Sequence, residues 1–235
     1  MDKPSVREVP WTLRDVSEAG IVLIFLVVLG YFIRFLLLDV PTFKGNRPLA
    51  AFLSFFLIYA LLVLIVWLFA VKKYKGSLKD LGVLPFNLWR GIKIGFFWLI
   101  VIKIFTLIYA AAASALGLEP PPELAENIPR LFGTGYTGLI FAVVITVFIA
   151  PVAEELVFRG FLYPAFRKRL GMKWAVFLSA VVFALFHPSV WLILPIVLIG
   201  VILAILFERL GSLGPPIILH SFNNLLSLVL LYYFR

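Results

Sequence analysis

The chain has 235 residues, of which 63% are hydrophobic and 14% are charged. Soluble globular domains are only about 45–50% apolar, so this composition excludes them and indicates a polytopic membrane protein. The net charge of +9 comes from basic residues near the ends of apolar runs, which is a membrane-topology pattern and argues against nucleic-acid binding. The absence of cysteine excludes a disulfide framework and a Cys-ligated metal.

Seven apolar runs predict seven transmembrane helices, because a bilayer core offers no water to backbone groups and a helix pairs them internally. The chain length suits one bundle of six to eight spans, at about 20 residues each. We predict an all-α, polytopic transmembrane bundle that forms a single domain over residues 1–235, with an N-terminal tail at 1–18 and a motif-bearing core at about 138–233. The predicted spans are Gly20–Leu38, Ala50–Val71, Gly91–Leu116, Gly138–Phe161, Trp174–Phe186, Trp191–Phe207 and Pro216–Tyr233.

The connecting segments predict the orientation. Basic residues concentrate in the tail, in the loop 72–90 and in the segment 159–173, which includes the predicted connection between the fourth and fifth spans. Such residues favour the cytoplasmic side, so we expect a cytoplasmic N-terminus in a multi-pass protein of a prokaryotic plasma membrane. The loop Gly117–Pro129 then faces outward. The segment Pro10–Val16 is predicted to be either an interfacial turn, with Trp11 at headgroup depth, or a loose tail.

Three polar clusters interrupt the later apolar runs. Polar and charged side chains are costly inside a bilayer, so clusters of them predict a functional site. They are Glu154-Glu155-x-x-x-Arg159 in the fourth span, Phe183-x-x-x-His187 in the fifth, and His220-x-x-x-Asn224 in the seventh.

The first cluster has the spacing of an ion pair. On a helix, Glu155 and Arg159 share a face, whereas Glu154 points about 100° away from Glu155. We expect the pair to neutralise itself and to leave Glu154 facing a cavity, where it acts as a base toward water. The alternative is a purely structural ion cluster between helices.

The chain contains two histidines, and both follow the carboxylates in apolar spans. A lone histidine such as His187 is more often a packed side chain bonded to a carbonyl. His220 and Asn224 lie four residues apart and can form a donor pair for the oxygen of a tetrahedral intermediate. Their alternative role is hydrogen bonding between helices.

Together the three motifs resemble those of the CAAX protease and bacteriocin-processing (CPBP) family, also called the Abi family. Its eukaryotic members are the type II CAAX prenyl endopeptidases, or Ras-converting enzymes. The family pattern is E-E-x-x-x-R, then F-x-x-x-H, then H-x-x-x-N, and the resemblance covers about Val143–Val229.

The resemblance implies an intramembrane glutamate endopeptidase, with no cofactor, that acts on a lipid-anchored or membrane-adjacent protein. Glu154 would activate water with help from His187. His220 and Asn224 would form the oxyanion site. The supporting residues would be Glu155, Arg159 and Phe183.

Four alternatives remain. Glu154, His187 and His220 could instead ligate a catalytic zinc ion. A serine mechanism is disfavoured because Gly-x-Ser-x-Gly is absent. The polar set could serve a non-catalytic immunity or scaffold protein, or a proton-coupled carrier in which Glu154 titrates and Lys103 lies in mid-span.

Overall fold

The computed structural model describes residues 8–37, 46–121, 123–187 and 189–233, and the regular elements in these ranges are all helical. The predicted all-α bundle is therefore confirmed. Residues 1–7 of the predicted tail and Leu38 of the predicted first span lie outside the described residues. The helices are α1 (Leu13–Leu37), α2 (Arg47–Val66, extended by the π turn Trp67–Lys72), α3 (Leu88–Ala115), α4 (Glu123–Phe132), α5 (Tyr136–Leu185), α6 (Ile193–Leu210, after the 3₁₀ turn Val190–Leu192) and α7 (Gly214–Tyr233).

Five helical runs in the described ranges are long and apolar enough to cross a membrane. They are Arg47–Lys72, Leu88–Ala115, Tyr136–Leu185, Val190–Leu210 and Gly214–Tyr233. These five runs contain the second to seventh predicted spans, except for the last residue of two of those spans. Helix α1 contains the first predicted span as far as Leu37.

Helix α5 is a hairpin of two arms. It has 50 residues, and a straight helix of that length would measure about 75 Å against a hydrocarbon core of about 30 Å. Gly171 interrupts it with φ 75° and ψ 172°, a backbone conformation that glycine adopts without steric cost. The chain reverses there, because the rings of Phe158 and Phe183 have centroids only 5.1 Å apart. The first arm is 136–170 and the second is 172–185.

The connection predicted between the fourth and fifth spans, residues 162–173, is not a loop, because the first arm stays helical to residue 170. Its basic end is held by partners inside the protein. Arg167 binds the Glu208 carboxylate through two nitrogens, at 2.8 Å each for the closest contacts, and Lys168 donates to the Val9 carbonyl at 3.0 Å. These contacts allow a charged segment to remain helical outside the apolar run.

The predicted loop Gly117–Pro129 was also wrong over its second half, which belongs to helix α4. This helix is amphipathic and too short to cross a bilayer. Its Phe132 is almost fully buried and stacks on Phe55 of α2, with centroids 5.8 Å apart. Helix α4 therefore covers one end of the bundle.

The N-terminal segment is packed into the bundle, so the prediction of a loose tail for Pro10–Val16 was wrong. Trp11 is fully buried, and its Nε1 donates to the Phe161 carbonyl at 2.9 Å. Asp15, in the first turn of α1, accepts hydrogen bonds from Lys73 and Tyr74. Burial alone would raise the pKa of Asp15, but these bonds and those from Thr12 outweigh it and hold the pKa well below its usual range.

Helix α6 lies at the centre, with half of its apolar window buried. It crosses the second arm of α5 closely, because a Cβ built on Gly200 would come within 2.9 Å of Ala180. The glycine carbonyl is thereby brought next to the first arm of α5, where the polar residues lie.

Candidate active site

The three polar clusters meet where both arms of α5 approach α7. Glu154 and Glu155 lie on a short α-helical turn, Ala150–Glu155, between two π-helical segments, Val144–Ile149 and Leu156–Leu162. A π segment adds one residue to a helical turn and is frequent at functional sites. The first arm is therefore irregular along the stretch that carries the carboxylates.

The ion pair expected from the spacing is present and fully buried. Arg159 Nη1 donates to Glu155 Oε1 at 2.9 Å, and both side chains are 0% exposed. Nη2 donates to the Gly200 carbonyl at 3.1 Å, and the guanidinium lies 4.5 Å from the centroid of the Phe183 ring. Arg159 thus joins both arms of α5 to α6.

His220 binds the same carboxylate oxygen. Its Nδ1 lies 2.9 Å from Glu155 Oε1, and because an ionised carboxylate only accepts hydrogen bonds, Nδ1 carries the hydrogen. In the neutral ring, Nε2 is then an acceptor. It lies 3.7 Å from Glu154 Oε2.

Glu154 is held from its other side by α2. Tyr59 Oη donates to Glu154 Oε1 at 3.1 Å. The second oxygen, Oε2, is buried and has no hydrogen-bond partner within the described part of the chain. Two acceptors, Oε2 and His220 Nε2, therefore face each other at a distance too long for a direct hydrogen bond.

His187 reaches this cluster through Phe183. Its Nδ1 lies 2.9 Å from the Phe183 carbonyl, so Nδ1 donates and Nε2 is the acceptor in the neutral ring. The Phe183 ring packs against His187 and His220, with centroid distances of 4.7 and 5.7 Å. The direct neighbour of Glu154 is thus His220. His187 and His220 are connected through their shared contact with the Phe183 ring.

Asn224 is fixed by a backbone irregularity in α5. The Ala150 N–H bonds to the Ile145 carbonyl in the π register, and the next residue, Pro151, has no N–H to offer the carbonyl of Thr146. Asn224 Nδ2 donates to that carbonyl instead, at 2.9 Å. The proline thus creates the acceptor that orients the Asn224 amide.

Sequence reasoning missed two polar neighbours of the site. Tyr59 is one tyrosine in an apolar run, and nothing in its spacing relates it to Glu154. Asn223 lies beside Asn224 and donates to its Oδ1 at 3.4 Å, while its own Oδ1 is buried without a partner in the described residues. Its position three residues after His220 was the available signal, since both lie on one helical face.

The zinc alternative finds no matching donor group. Among residues 8–37, 46–121, 123–187 and 189–233, no three His, Asp or Glu side chains are clustered as a metal ion requires. Glu154, His187 and His220 are therefore not arranged as a ligand set, and we derive no step through a metal.

Comparisons with known proteins agree with the motifs. Residues 136–226 match the sequence model of the type II CAAX prenyl endopeptidase Rce1-like family. An uncharacterized protein of Mycoplasma capricolum subsp. capricolum is 32% identical over 102 residues, which cover 42% of this chain and 30% of that protein. The chain thus spans under a third of the length of this curated relative. No solved structure matches the present chain.

The matched segment contains all three polar motifs, together with the π segments that present them. The resemblance predicted from the motifs is therefore confirmed: residues 136–226 are similar to the Rce1-like family of type II CAAX prenyl endopeptidases.

Proposed function

We propose that the chain is an intramembrane endopeptidase that hydrolyses a peptide bond near the C-terminus of a lipid-anchored or membrane-adjacent protein. The family match supports a CAAX-type intramembrane protease in general. The observation that carries the finer proposal is the pair of acceptors, Glu154 Oε2 and His220 Nε2, facing each other across 3.7 Å.

Two facing acceptors are stabilised by a donor that binds both, and a water molecule can give one hydrogen to each. Its lone pairs then point away from both side chains, toward a substrate carbonyl. As the water oxygen forms its bond to the carbonyl carbon, Glu154 takes a proton, which is later delivered to the leaving amine. The products are a new carboxylic acid and a free amine, and transfer of the acid proton to the amine then gives a carboxylate and an ammonium group.

Glu155 and Arg159 act as positioning residues in this scheme. Glu155 accepts from His220 Nδ1 and so selects the tautomer that presents Nε2 to the water, as a carboxylate does behind a catalytic histidine. Arg159 balances the charge of Glu155 in a site with no exposure.

The roles of His187 and Asn224 follow from their bonds. The resemblance pairs Glu154 with His187, but the geometry favours His220 as the direct partner of Glu154. We assign the His187 Nε2 acceptor to relay the proton toward the leaving amine. The Asn224 amide has one hydrogen bonded to the Thr146 carbonyl, and the second can stabilise the developing oxyanion.

The substrate must present an unwound stretch, because a helical peptide hides its carbonyls in internal hydrogen bonds. A C-terminal tail held at the membrane by a lipid anchor meets this need. It also raises the local concentration of the peptide at the bilayer surface.

The test is cleavage of a farnesylated C-terminal tetrapeptide reporter by purified protein, with and without a zinc chelator. Glu154→Gln keeps the shape of the side chain and removes the base, so we expect cleavage to fall by at least about a hundredfold. The matched control is Glu119→Gln, the same change at an exposed carboxylate that binds Ser114. It should cleave at the wild-type rate.

Three results would contradict the proposal. Full activity of Glu154→Gln would remove this residue from the chemistry. Loss of activity with the chelator, restored by zinc, would favour the metal alternative. Failure of the folded wild-type protein to cleave either farnesylated or unmodified peptides would favour an immunity or scaffold role.

A further inference from the structure

A cavity lies between the N-terminal segment and the end of the first arm of α5, apart from the three polar motifs. Its volume is about 580 Å³, which is within the range of small-molecule binding sites. Charged, polar and apolar side chains line it together: Thr12, Leu13, Ala165, Lys168, Arg169 and Leu170. None of these residues belongs to the candidate active site, so the cavity is separate from the proposed hydrolytic centre.

The cavity lies at a membrane surface. The run Tyr136–Leu185 is apolar enough to cross a bilayer, and it reverses within residues 168–174, which therefore form the common end of its two arms. Cations at that end are too costly for the hydrocarbon core and lie at the level of the headgroups. Leu170, Met172 and Trp174 are 40%, 42% and 62% exposed. Exposed apolar and tryptophan side chains beside cations are typical of a membrane interface.

Charged residues that neighbour the lining residues in sequence are paired within the protein. Each forms an ion pair with an opposite charge: Arg14 with Glu18, Asp15 with Lys73, and Arg167 with Glu208. The Thr12 hydroxyl is also occupied, because it donates to Asp15. The electrostatic field inside the cavity therefore comes mainly from the two cations that line it.

These two cations keep free hydrogen-bond donors. Lys168 Nζ donates to the Val9 carbonyl at 3.0 Å, and the other N–H groups of the ammonium remain available. Arg169 is exposed and makes no hydrogen bond or ion pair with the described residues. Glu8, the carboxylate next to Val9, pairs with neither cation within 4.0 Å. An anion with several acceptor oxygens suits this arrangement, and the planar fork of a guanidinium matches a phosphate.

The N-terminal wall of the cavity is held by contacts that lie outside it. Trp11 is fully buried and donates to the Phe161 carbonyl at 2.9 Å, and Val9 is 4% exposed. Together with the bond from Lys168 to Val9, these contacts attach the segment to the first arm of α5. The cavity is thus formed before a ligand enters, and binding costs little ordering of the protein.

We infer that this cavity binds the phosphodiester headgroup of an anionic phospholipid. Arg169 and Lys168 donate to the phosphate oxygens, while Leu13 and Leu170 contact the glycerol and the first acyl carbons. A lipid fits both kinds of lining, whereas a soluble phosphate uses only the cations. A zwitterionic choline headgroup brings a cation of its own into the same field and binds more weakly. This inference does not rest on the proposed function.

The test is native mass spectrometry of the purified, delipidated protein. It is titrated with dioleoylphosphatidylglycerol or dioleoylphosphatidylcholine, which share their acyl chains and differ in their headgroups. We expect the first phosphatidylglycerol to bind with a Kd at least about tenfold lower, a factor typical of a charge-assisted hydrogen bond. Glycerol 3-phosphate, added as a soluble competitor at equal concentration, should leave this lipid bound because it lacks the acyl chains.

The variants separate this cavity from the overall positive charge. Arg169→Gln removes the charge of an exposed side chain without a partner in the described residues, so the variant should fold while its Kd for phosphatidylglycerol rises about tenfold. Arg169→Lys keeps the charge but not the fork, so its Kd should be intermediate. The matched control is Arg90→Gln, the same change at an exposed arginine outside the cavity. Its Kd should change by less than about twofold, because salt screens separated exposed charges.

Three results would overturn the inference. Equal Kd values for the two lipids on the wild-type protein would do so, and this comparison requires no variant. An equal rise in Kd for Arg169→Gln and Arg90→Gln would show attraction to the total charge instead of to this cavity. Displacement of the lipid by equimolar glycerol 3-phosphate would assign the site to a soluble phosphate. Binding is measured without cleavage, so none of these results bears on the proposed function.

Discussion

Replacing Arg159 with methionine tests how the buried charges are balanced. The substitution keeps the length of the side chain but leaves the Glu155 carboxylate without its cation in a site with 0% exposure. It also removes the hydrogen bond to the Gly200 carbonyl and the contact of the guanidinium with the Phe183 ring. His220 remains as a hydrogen-bond partner of Glu155.

Breaking one side of a buried ion pair costs about 3–5 kcal/mol, because the remaining charge stays desolvated. We expect Arg159→Met to lower the free energy of unfolding by an amount in this range. Replacing both partners, as in Glu155→Gln with Arg159→Met, removes the uncompensated charge while keeping an acceptor for His220. The double variant should therefore recover about 2 kcal/mol of the loss.

The measurement is equilibrium unfolding in mixed micelles. It compares Arg159→Met, Glu155→Gln, the double variant and one control variant. The control is Arg130→Met, which breaks an ion pair with the same four-residue spacing, to Glu126, but at 65% and 48% exposure. Its cost should be below about 0.5 kcal/mol. A double variant less stable than Arg159→Met, or an equal cost at Arg159 and Arg130, would refute the reasoning.

Two further predictions concern the backbone irregularity and the N-terminal packing. Pro151→Ala supplies an N–H to the carbonyl that Asn224 now binds, so we expect unchanged or higher stability but about a tenfold lower kcat at similar KM in the reporter assay; an unchanged kcat would contradict this. The low pKa of Asp15 contributes stability that is fully present above the unfolded-state pKa of about 3.9 and is lost as the pH falls toward the folded-state value. Acidification should therefore destabilise the wild-type protein more than Asp15→Asn in thermal melts from pH 6 to pH 3, and parallel curves would disprove the role of Asp15.

The parts of the fold and site that sequence predicts are those set by local spacing. Hydropathy identifies the spans because the bilayer requires apolar, internally hydrogen-bonded segments. The four-residue spacing of Glu155 and Arg159 predicts their contact because both lie on one helical face. In the same way, the His220 motif identifies the face of α7 that meets the carboxylates.

Contacts between distant helices were not predictable. The helical segment 162–170 is predicted as a connection because its basic residues resemble a topology signal, and the distant Glu208 that pairs with Arg167 cannot be recognised from spacing. Tryptophan is a residue type common at membrane interfaces. The Trp11 side chain is nevertheless buried inside the protein, where the Phe161 carbonyl accepts its indole N–H.

The position of Glu154 next to His220 rather than His187 also depends on contacts between distant helices. The irregular backbone around Pro151 shows why spacing does not predict such contacts. Helical periodicity holds only while each N–H bonds four residues back, and α5 departs from this on both sides of the Ala150–Glu155 turn. Each π segment shifts the residues beyond it around the helix axis by about 100°, one residue of rotation. Faces assigned from spacing across such a segment are therefore displaced. Pro151 adds a carbonyl that must find a partner elsewhere, and Asn224 provides it from 78 residues away. The irregular turn thus adds a bond between α5 and the third motif, which spacing within either motif does not encode.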